Sequence, residues 1–219
     1  MFFDTLESRR LMSATLIPNP GWTFRPADRF NITLSPNFAP APAANVLNVV
    51  GTNGNDQIRI TRTPTNLVVN VNGRGSQAAI ASVSSLRILG LGGHDRILIV
   101  DPAGKPALVD AGAGNDYVSS GPANDTIYGG DGRDWLQGNA GHDRLIGGAG
   151  DDILEGGAGN DVITGDAGFD RMFGQTGNDL FYANDRQVDM VDGGLGTDRA
   201  VVDIFPPFSD GRNSIESLV

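Results

Sequence analysis

Aspartate recurs at every ninth position in the second half of the chain, at Asp116, Asp125, Asp134, Asp143, Asp152, Asp161, Asp170 and Asp179. A carboxylate is a hard anionic oxygen donor, so a regular file of them selects hard divalent cations over soft metals. Other ligand types are scarce. There is no cysteine, and the only histidines are His94 and His142. That excludes disulfides, thiolate catalysis and zinc ribbons, and leaves a His-His-carboxylate centre without its parts. Both histidines precede a repeat aspartate, a variable and solvent-facing slot, and neither is expected to bind metal. Paired acids such as Asp151-Asp152 could serve a hydrolase, yet the period accounts for Asp152 and leaves Asp151 on the surface, with no pocket-forming segment beside it. The net charge of −10, from 26 acidic and 16 basic residues, attracts cations and repels nucleic acid and anionic membrane.

The period involves more than aspartate. Residues 111–182 divide into eight nonapeptides without an insertion, among them Gly129-Gly130-Asp131-Gly132-Arg133-Asp134-Trp135-Leu136-Gln137. The eighth position is always apolar (Val118, Ile127, Leu136, Leu145, Leu154, Ile163, Met172 and Phe181), and the fourth is Gly except at Ala123. Glycines at positions 1, 2 and 4 permit positive φ and close backbone approach, so carbonyl oxygens can turn toward a common centre. The last three residues of each copy are expected to form a short strand with its middle side chain inward and position 7, including Tyr117 and Trp135, outward. One buried residue in nine is a thin core, which works only if successive coils stack. Disordered low-complexity chain would impose no such apolar spacing.

The elements that must position these carboxylates follow from the period. Two nonapeptides make one coil of 18 residues, which predicts an all-β, right-handed parallel β-roll with Asp116, Asp134, Asp152 and Asp170 along one edge and Asp125, Asp143, Asp161 and Asp179 along the other. Stacked strands lie about 4.7–4.9 Å apart and calcium–oxygen bonds are about 2.3–2.6 Å, so one ion fits between successive coils. Without it each column holds like charges at close range, and the ion-free chain is expected to resist folding.

Outside the run the chain divides into four further parts. Residues 1–17 have acidic residues and no long apolar stretch, unlike an ordinary signal peptide. Residues 18–44 carry half of the prolines and read as an extended linker, with docking through Trp22, Phe24, Phe30 and Phe38 as the alternative. Residues 45–110 contain β-branched runs at Val46 to Val50, Gln57 to Thr61, Asn66 to Val71, Ser85 to Leu89 and Arg96 to Val100, with turns at Gly51 to Gly54 and Asn72-Gly73. They read as a β-rich N-terminal cap. Residues 183–219 read as a C-terminal cap. No stretch reaches the roughly 18 apolar residues that a bilayer span requires.

The nonapeptide resembles the RTX, or haemolysin-type, calcium-binding repeat of consensus G-G-x-G-x-D-x-U-x. The resemblance implies Ca²⁺ held by carbonyls 2 and 4 and Asp 6 of one loop with carbonyls 1 and 3 and Asp 6 of the loop 18 residues on. Carried over, Gly112, Gly114 and Asp116 would share an ion with Gly129, Asp131 and Asp134; Gly121, Ala123 and Asp125 with Gly138, Ala140 and Asp143. Gly130, Gly132 and Asp134 would pair with Gly147, Ala149 and Asp152, and Asn139, Gly141 and Asp143 with Gly156, Ala158 and Asp161. The last two sites would join Gly148, Gly150 and Asp152 to Gly165, Ala167 and Asp170, and Gly157, Gly159 and Asp161 to Gly174, Thr176 and Asp179. That makes about six complete sites. Ala123, Asn139, Asp166 and Gln175 depart from consensus glycine, and the Asp125–Asp143 site is the weakest of the set, because Ala tolerates the left-handed region poorly. Degenerate copies ending at Asp56, Asp95 and Asp198 belong to the caps, with calcium there left open.

Leu6-Glu7-Ser8-Arg9-Arg10-Leu11-Met12 resembles the LEPR-XLL motif of large bacterial surface and secreted proteins, and Ile215-Glu216-Ser217-Leu218-Val219 resembles the tail of type I secretion substrates. Together these resemblances imply a secreted or cell-surface, non-enzymatic calcium-binding module whose folding is coupled to the ion. The alternative is a calcium-dependent adhesin that binds a surface glycan or matrix component through residues 45–110 or through Tyr117, Tyr128 and Trp135. RTX repeats often trail a catalytic domain, but no H-E-x-x-H or G-x-S-x-G occurs here, and the chain before the run is too short for an ordinary one.

Overall fold

The computed structural model describes residues 31–36, 45–101, 104–202, 211–213 and 217–218. Residues 1–17, most of 18–44 and the tail motif apart from 217–218 therefore lie outside the described residues. In chain order the strands are β1 (Asn31–Pro36), β2 (Asn45–Val50), β3 (Gln57–Arg62), β4 (Asn66–Val71), β5 (Arg74–Ala79), β6 (Ser85–Leu89), β7 (Arg96–Val100), β8 (Ala107–Ala113), β9 (Tyr117–Ser119) and β10 (Thr126–Asp131). They continue as β11 (Trp135–Ala140), β12 (Arg144–Ala149), β13 (Ile153–Ala158), β14 (Val162–Ala167), β15 (Arg171–Thr176), β16 (Leu180–Ala183), β17 (Met190–Asp192), β18 (Arg199–Val202), β19 (Gly211–Asn213) and β20 (Ser217–Leu218).

These strands form two ten-stranded sheets, β1-β2-β6-β8-β10-β12-β14-β16-β18-β20 and β19-β17-β15-β13-β11-β9-β7-β3-β4-β5. Consecutive strands of the repeat region enter opposite sheets, so each pairs in parallel with the strand one full coil away: Ile127 faces Leu145, and Leu136 faces Leu154. This is a parallel β-roll. Among the described residues the only helical turn is a short 3₁₀ segment at Ile80–Ser82.

The strands are longer than the three residues expected from sequence. From β10 to β15 each spans six residues, positions 7 to 9 and then 1 to 3 of the next copy. Pairing skips the glycine at position 1 and resumes at position 2, as in Gly130 with Gly148. The core is the expected ladder: every eighth-position side chain from Val118 to Phe181 is fully buried, and Val109, Ile97 and Ile58 extend it toward the N-terminus. Burial of each such aliphatic side chain contributes about 1.5–3 kcal/mol, and it exists only because the next coil covers it.

At the N-terminal end the parallel pattern gives way to antiparallel strands. Strand β1 pairs antiparallel with β2, inside the segment read as a linker, while β3, β4 and β5 form a meander on the other sheet. The β4–β5 turn is Asn72-Gly73 with φ of 52° and 80°, the mirror-image turn that favours this dipeptide. Strand β5, with sequence RGSQAA, has no β-branched residue, and its propensity alone gave no sign of it.

Candidate metal centre

The repeat aspartates stand at the entry to each strand, and the coils bring them into two columns. All eight are buried, each between 1% and 4% exposed. One oxygen of each carboxylate is used by the fold: the Asp116 amide donates to Asp134 Oδ1 at 2.8 Å, Asp134 to Asp152 at 2.7 Å and Asp152 to Asp170 at 2.9 Å. The second column repeats this from Asp125 to Asp143, Asp161 and Asp179, each at 2.8 Å. The other oxygen is not used. In all eight, Oδ2 is buried without a hydrogen-bond donor, and a buried acceptor in that state costs the full desolvation of the group unless a cation meets it.

Backbone oxygens converge on the same gaps. Between the Asp134 and Asp152 loops, a Cβ on Gly129 would strike both Asp134 Oδ2 and the Gly147 carbonyl. A Cβ on Gly148 would strike the Gly130 carbonyl, and one on Gly150 the Gly132 carbonyl. From the upper loop the Ala149 carbonyl reaches down to accept the Gly132 amide at 2.7 Å. Carbonyls 2 and 4 of the lower loop thus face carbonyls 1 and 3 of the upper one across an interval that a carboxylate also enters. The donor set is all hard oxygen, in keeping with calcium's preference for about 6–8 such ligands. Among the described residues no three His, Cys, Asp or Glu side chains converge on one point, so any ion here depends on main-chain carbonyls with two carboxylates.

Burial, with no counter-ion, raises the carboxyl pKa values. Asp143 and Asp152 are pushed up to about 8 and Asp134 to about 7, first by desolvation and then by the charges of column neighbours, against the hydrogen bond from the preceding aspartate's amide. Asp170 and Asp179 rise to about 6 for the same leading reason, and so does Asp125.

A family model for the RTX calcium-binding nonapeptide repeat matches in four copies, over residues 108–136, 128–163, 155–185 and 164–200. Residues 108–200 are RTX calcium-binding repeats. No curated protein and no solved structure matches the chain. The RTX roll binds Ca²⁺, and the orphaned Oδ2 atoms fit that ion.

The RTX loops differ in how well they keep the repeat geometry. Asn139, Asp166 and Gln175 at position 2 adopt φ of 68°, 65° and 71°, the same left-handed turn that glycine makes elsewhere. Their side chains do not break it. The loop 120–125 does differ. Neither Gly121 nor Ala123 has positive φ: Pro122 favours extended backbone at Gly121 before it, and the Cβ of Ala123 disfavours the left-handed region. Ser120 at position 1, where the six copies from Gly129 onward have glycine, also donates its hydroxyl to the Gly138 carbonyl at 2.8 Å. The Asp125–Asp143 gap is the most altered of the six.

Two features were missed in the sequence. Position 5 is not a variable slot: Asn115 Oδ1 accepts the Arg133 amide at 3.0 Å, Asn124 the His142 amide at 2.8 Å and Asn160 the Asn178 amide at 2.9 Å. His94 and His142 do the same through Nδ1, accepting the Asn115 and Asn160 amides at 2.7 and 2.8 Å. Acceptor side chains at most fifth positions were the available signal. The other is Asp189, which takes the Asp170 amide at 2.9 Å after a step of 19 residues. It lacks flanking glycines, and only its Asp-x-apolar pattern, Asp189-Met190-Val191, marks it.

Proposed function

We propose that this chain is an extracellular, non-enzymatic, calcium-stabilised module whose folding is completed by ions bound between successive coils, through the six ligand sets running from Asp116 to Asp179. The observation that carries this reading is the buried, donorless Oδ2 repeated in every copy. Each such atom makes the empty coil costly and the loaded coil favourable, so binding free energy becomes folding free energy. With no cysteine in the chain, the ions take the place of disulfides as the clamp for a thin core. Millimolar calcium outside the cell saturates such sites, and the low calcium of the cytosol keeps the chain unfolded for export. Equilibrium dialysis against millimolar calcium is expected to retain several ions per chain. A chain that retains none overturns the reading.

A second reading, a glycan-binding adhesin, is favoured by one groove. About 670 Å³ of space lies where the turn edge meets the outer face of the second sheet, bordered by Tyr117, Trp135 and Arg171 and by the column carboxylates Asp116, Asp134 and Asp152. Tyr117 and Trp135 meet edge to face, with centroids 5.1 Å apart, and Trp135 is 43% exposed. Aromatic faces beside charged and amide groups suit the apolar face and hydroxyls of a sugar ring. Tyr128 stands on β10 in the other sheet and takes no part. In this reading, binding to a glycan array in calcium is lost in Trp135→Ala while calcium binding is kept; an array without hits rejects it.

A further inference from the structure

The carboxylate column of the second sheet does not begin at Asp116. Asp95 continues it, with its amide donating to Asp116 Oδ1 at 2.7 Å across a step of 21 residues. Asp56 stands one coil further, with its amide donating to Asp95 Oδ1 at 2.8 Å. The three extra residues in the Asp95–Asp116 step break the nine-residue register, and both Asp56 and Asp95 lie outside residues 108–200, where the repeat was recognised.

We propose that a calcium ion binds between the Gly90–Asp95 and Ala111–Asp116 turns, and that the column stops there because protein donors take the place of an ion at Asp56. The inference rests on the reading that the repeat gaps hold calcium, and extends it to residues that the repeat pattern leaves unassigned.

The Asp95 gap reproduces the geometry of the regular ones atom by atom. Asp95 is 3% exposed and its Oδ2 has no hydrogen-bond donor. A Cβ on Gly90 would strike both that Oδ2 and the Ala111 carbonyl, as at Gly129. A Cβ on Gly112 would strike the Leu91 carbonyl, and one on Gly114 the Gly93 carbonyl, so carbonyls 2 and 4 of the lower turn face upward. From above, the Ala113 carbonyl accepts the Gly93 amide at 2.8 Å. Leu91 holds φ of 82° at the position-2 turn, a conformation that an L-residue with a branched side chain adopts at a cost. The extra residues are taken up between β7 and β8, away from the turns, so the irregular step leaves both turns in register.

At Asp56 the same carboxylate position is satisfied without an ion. Its Oδ2 accepts the Thr52 amide at 2.5 Å and the Thr52 hydroxyl at 3.1 Å, while Oδ1 accepts Asn72 Nδ2 at 2.5 Å. Asn72 comes from the β4–β5 turn, so the antiparallel meander supplies the donor that closes the column. Main-chain oxygens converge here too, since a Cβ on Gly51 would strike both Asp56 Oδ2 and the Gly90 carbonyl; what separates this gap from the regular ones is the protein donors on its carboxylate and a turn in which neither Thr52 nor Gly54 has positive φ. A column of buried carboxylates needs an end where no further ion is required, and the Thr52–Asn72 pair provides one.

Native mass spectrometry of the full chain in calcium counts the ions on folded molecules. Asp95→Asn, which keeps the Oδ1 acceptor, is expected to bind one ion fewer than the unchanged chain, and Asp56→Asn is expected to bind the same number. An undiminished count in Asp95→Asn, or a lost ion in Asp56→Asn, overturns the inference, whereas an unchanged chain that binds no ions at all refutes the calcium reading itself. If Asp95→Asn does not fold, crystals of the unchanged chain grown in calcium decide the matter by anomalous scattering: a peak between Asp95 and Asp116 with none between Asp56 and Asp95 is the expected result. Peaks confined to the regular repeats overturn it.

Discussion

Chelating calcium at pH 8 is expected to remove most of the β-sheet signal of this chain, and returning calcium is expected to restore it. The magnitudes decide the direction. A ligand at about a hundred times its dissociation constant stabilises the folded state by about 2.7 kcal/mol per site. Over the six repeat gaps that contribution matches or exceeds the whole net stability of an ordinary domain, about 5–15 kcal/mol. The roll has little else to offset the loss. Apart from Ala111 in the first, each repeat buries a single apolar side chain, and chelation leaves its Oδ2 atom buried among carbonyls with no donor. The N-terminal cap differs, since β3 and β4 pack Ile58, Ile60, Leu67 and Val69, and Thr52 and Asn72 close Asp56 with protein donors. Residual structure in chelator should therefore map to residues 45–79, and hydrogen exchange on the chelated chain tests this: uniform protection across residues 111–182 in chelator contradicts the expectation.

The roll itself was legible because its period is a direct image of its geometry. Asp116 and Asp134 are 18 residues apart and stack one coil apart; Leu136 and Leu154 do the same inside the core. The five strands between residues 46 and 100 were legible from β-branched runs, and the Asn72-Gly73 turn from its dipeptide. What escaped was whatever depends on coils meeting after an irregular step. Asp189 stacks on Asp170 although no glycine announces its loop. The degenerate copy ending at Asp198 was legible as a pattern, but its stacking was not: the Asp179 amide donates to Asp198 Oδ1 at 2.8 Å after 19 residues, an insertion that a strict nine-residue frame treats as a break. The frame fails there for a physical reason: the columns require only that the two carboxylates and the carbonyls of adjacent turns meet, and a bulge elsewhere in the coil does not disturb that meeting.

The position 5 contacts escaped for a different reason. Asn115, Asn124, His142 and Asn160 read as solvent-facing polar residues because they are exposed, yet each bonds the backbone of the coil above. The sixth-position aspartates bond the coil below. The two ladders, running in opposite directions at adjacent positions, hold the turn at a fixed height between its neighbours. A consensus that prints position 5 as any residue hides half of this arrangement.

The response to pH should reverse sign with calcium. In chelator, acidification from pH 8 to pH 4 is expected to increase β structure. The ordinary carboxyl value is 3.8, and burial in the ion-free roll raises Asp134 to about 7 and Asp143 and Asp152 to about 8. Between those values the folded chain holds protons that the unfolded chain has released, so stability falls as pH rises through the window, by about 1.4 kcal/mol per pH unit for each carboxyl concerned. Below about 4 both states are protonated and the penalty is gone. In calcium the loaded columns carry no protons, so the folded state should hold steady from pH 8 down to about pH 5. It weakens only as protons begin to compete for the ligands and the unfolded carboxyls protonate. The two melting curves should thus lie far apart at pH 8 and approach each other toward pH 4. Circular dichroism melts at several pH values, with and without chelator, measure this directly. A chelated chain that loses structure steadily on acidification would mean that the columns hold ordinary, solvated carboxylates, with no buried charge for calcium to neutralise.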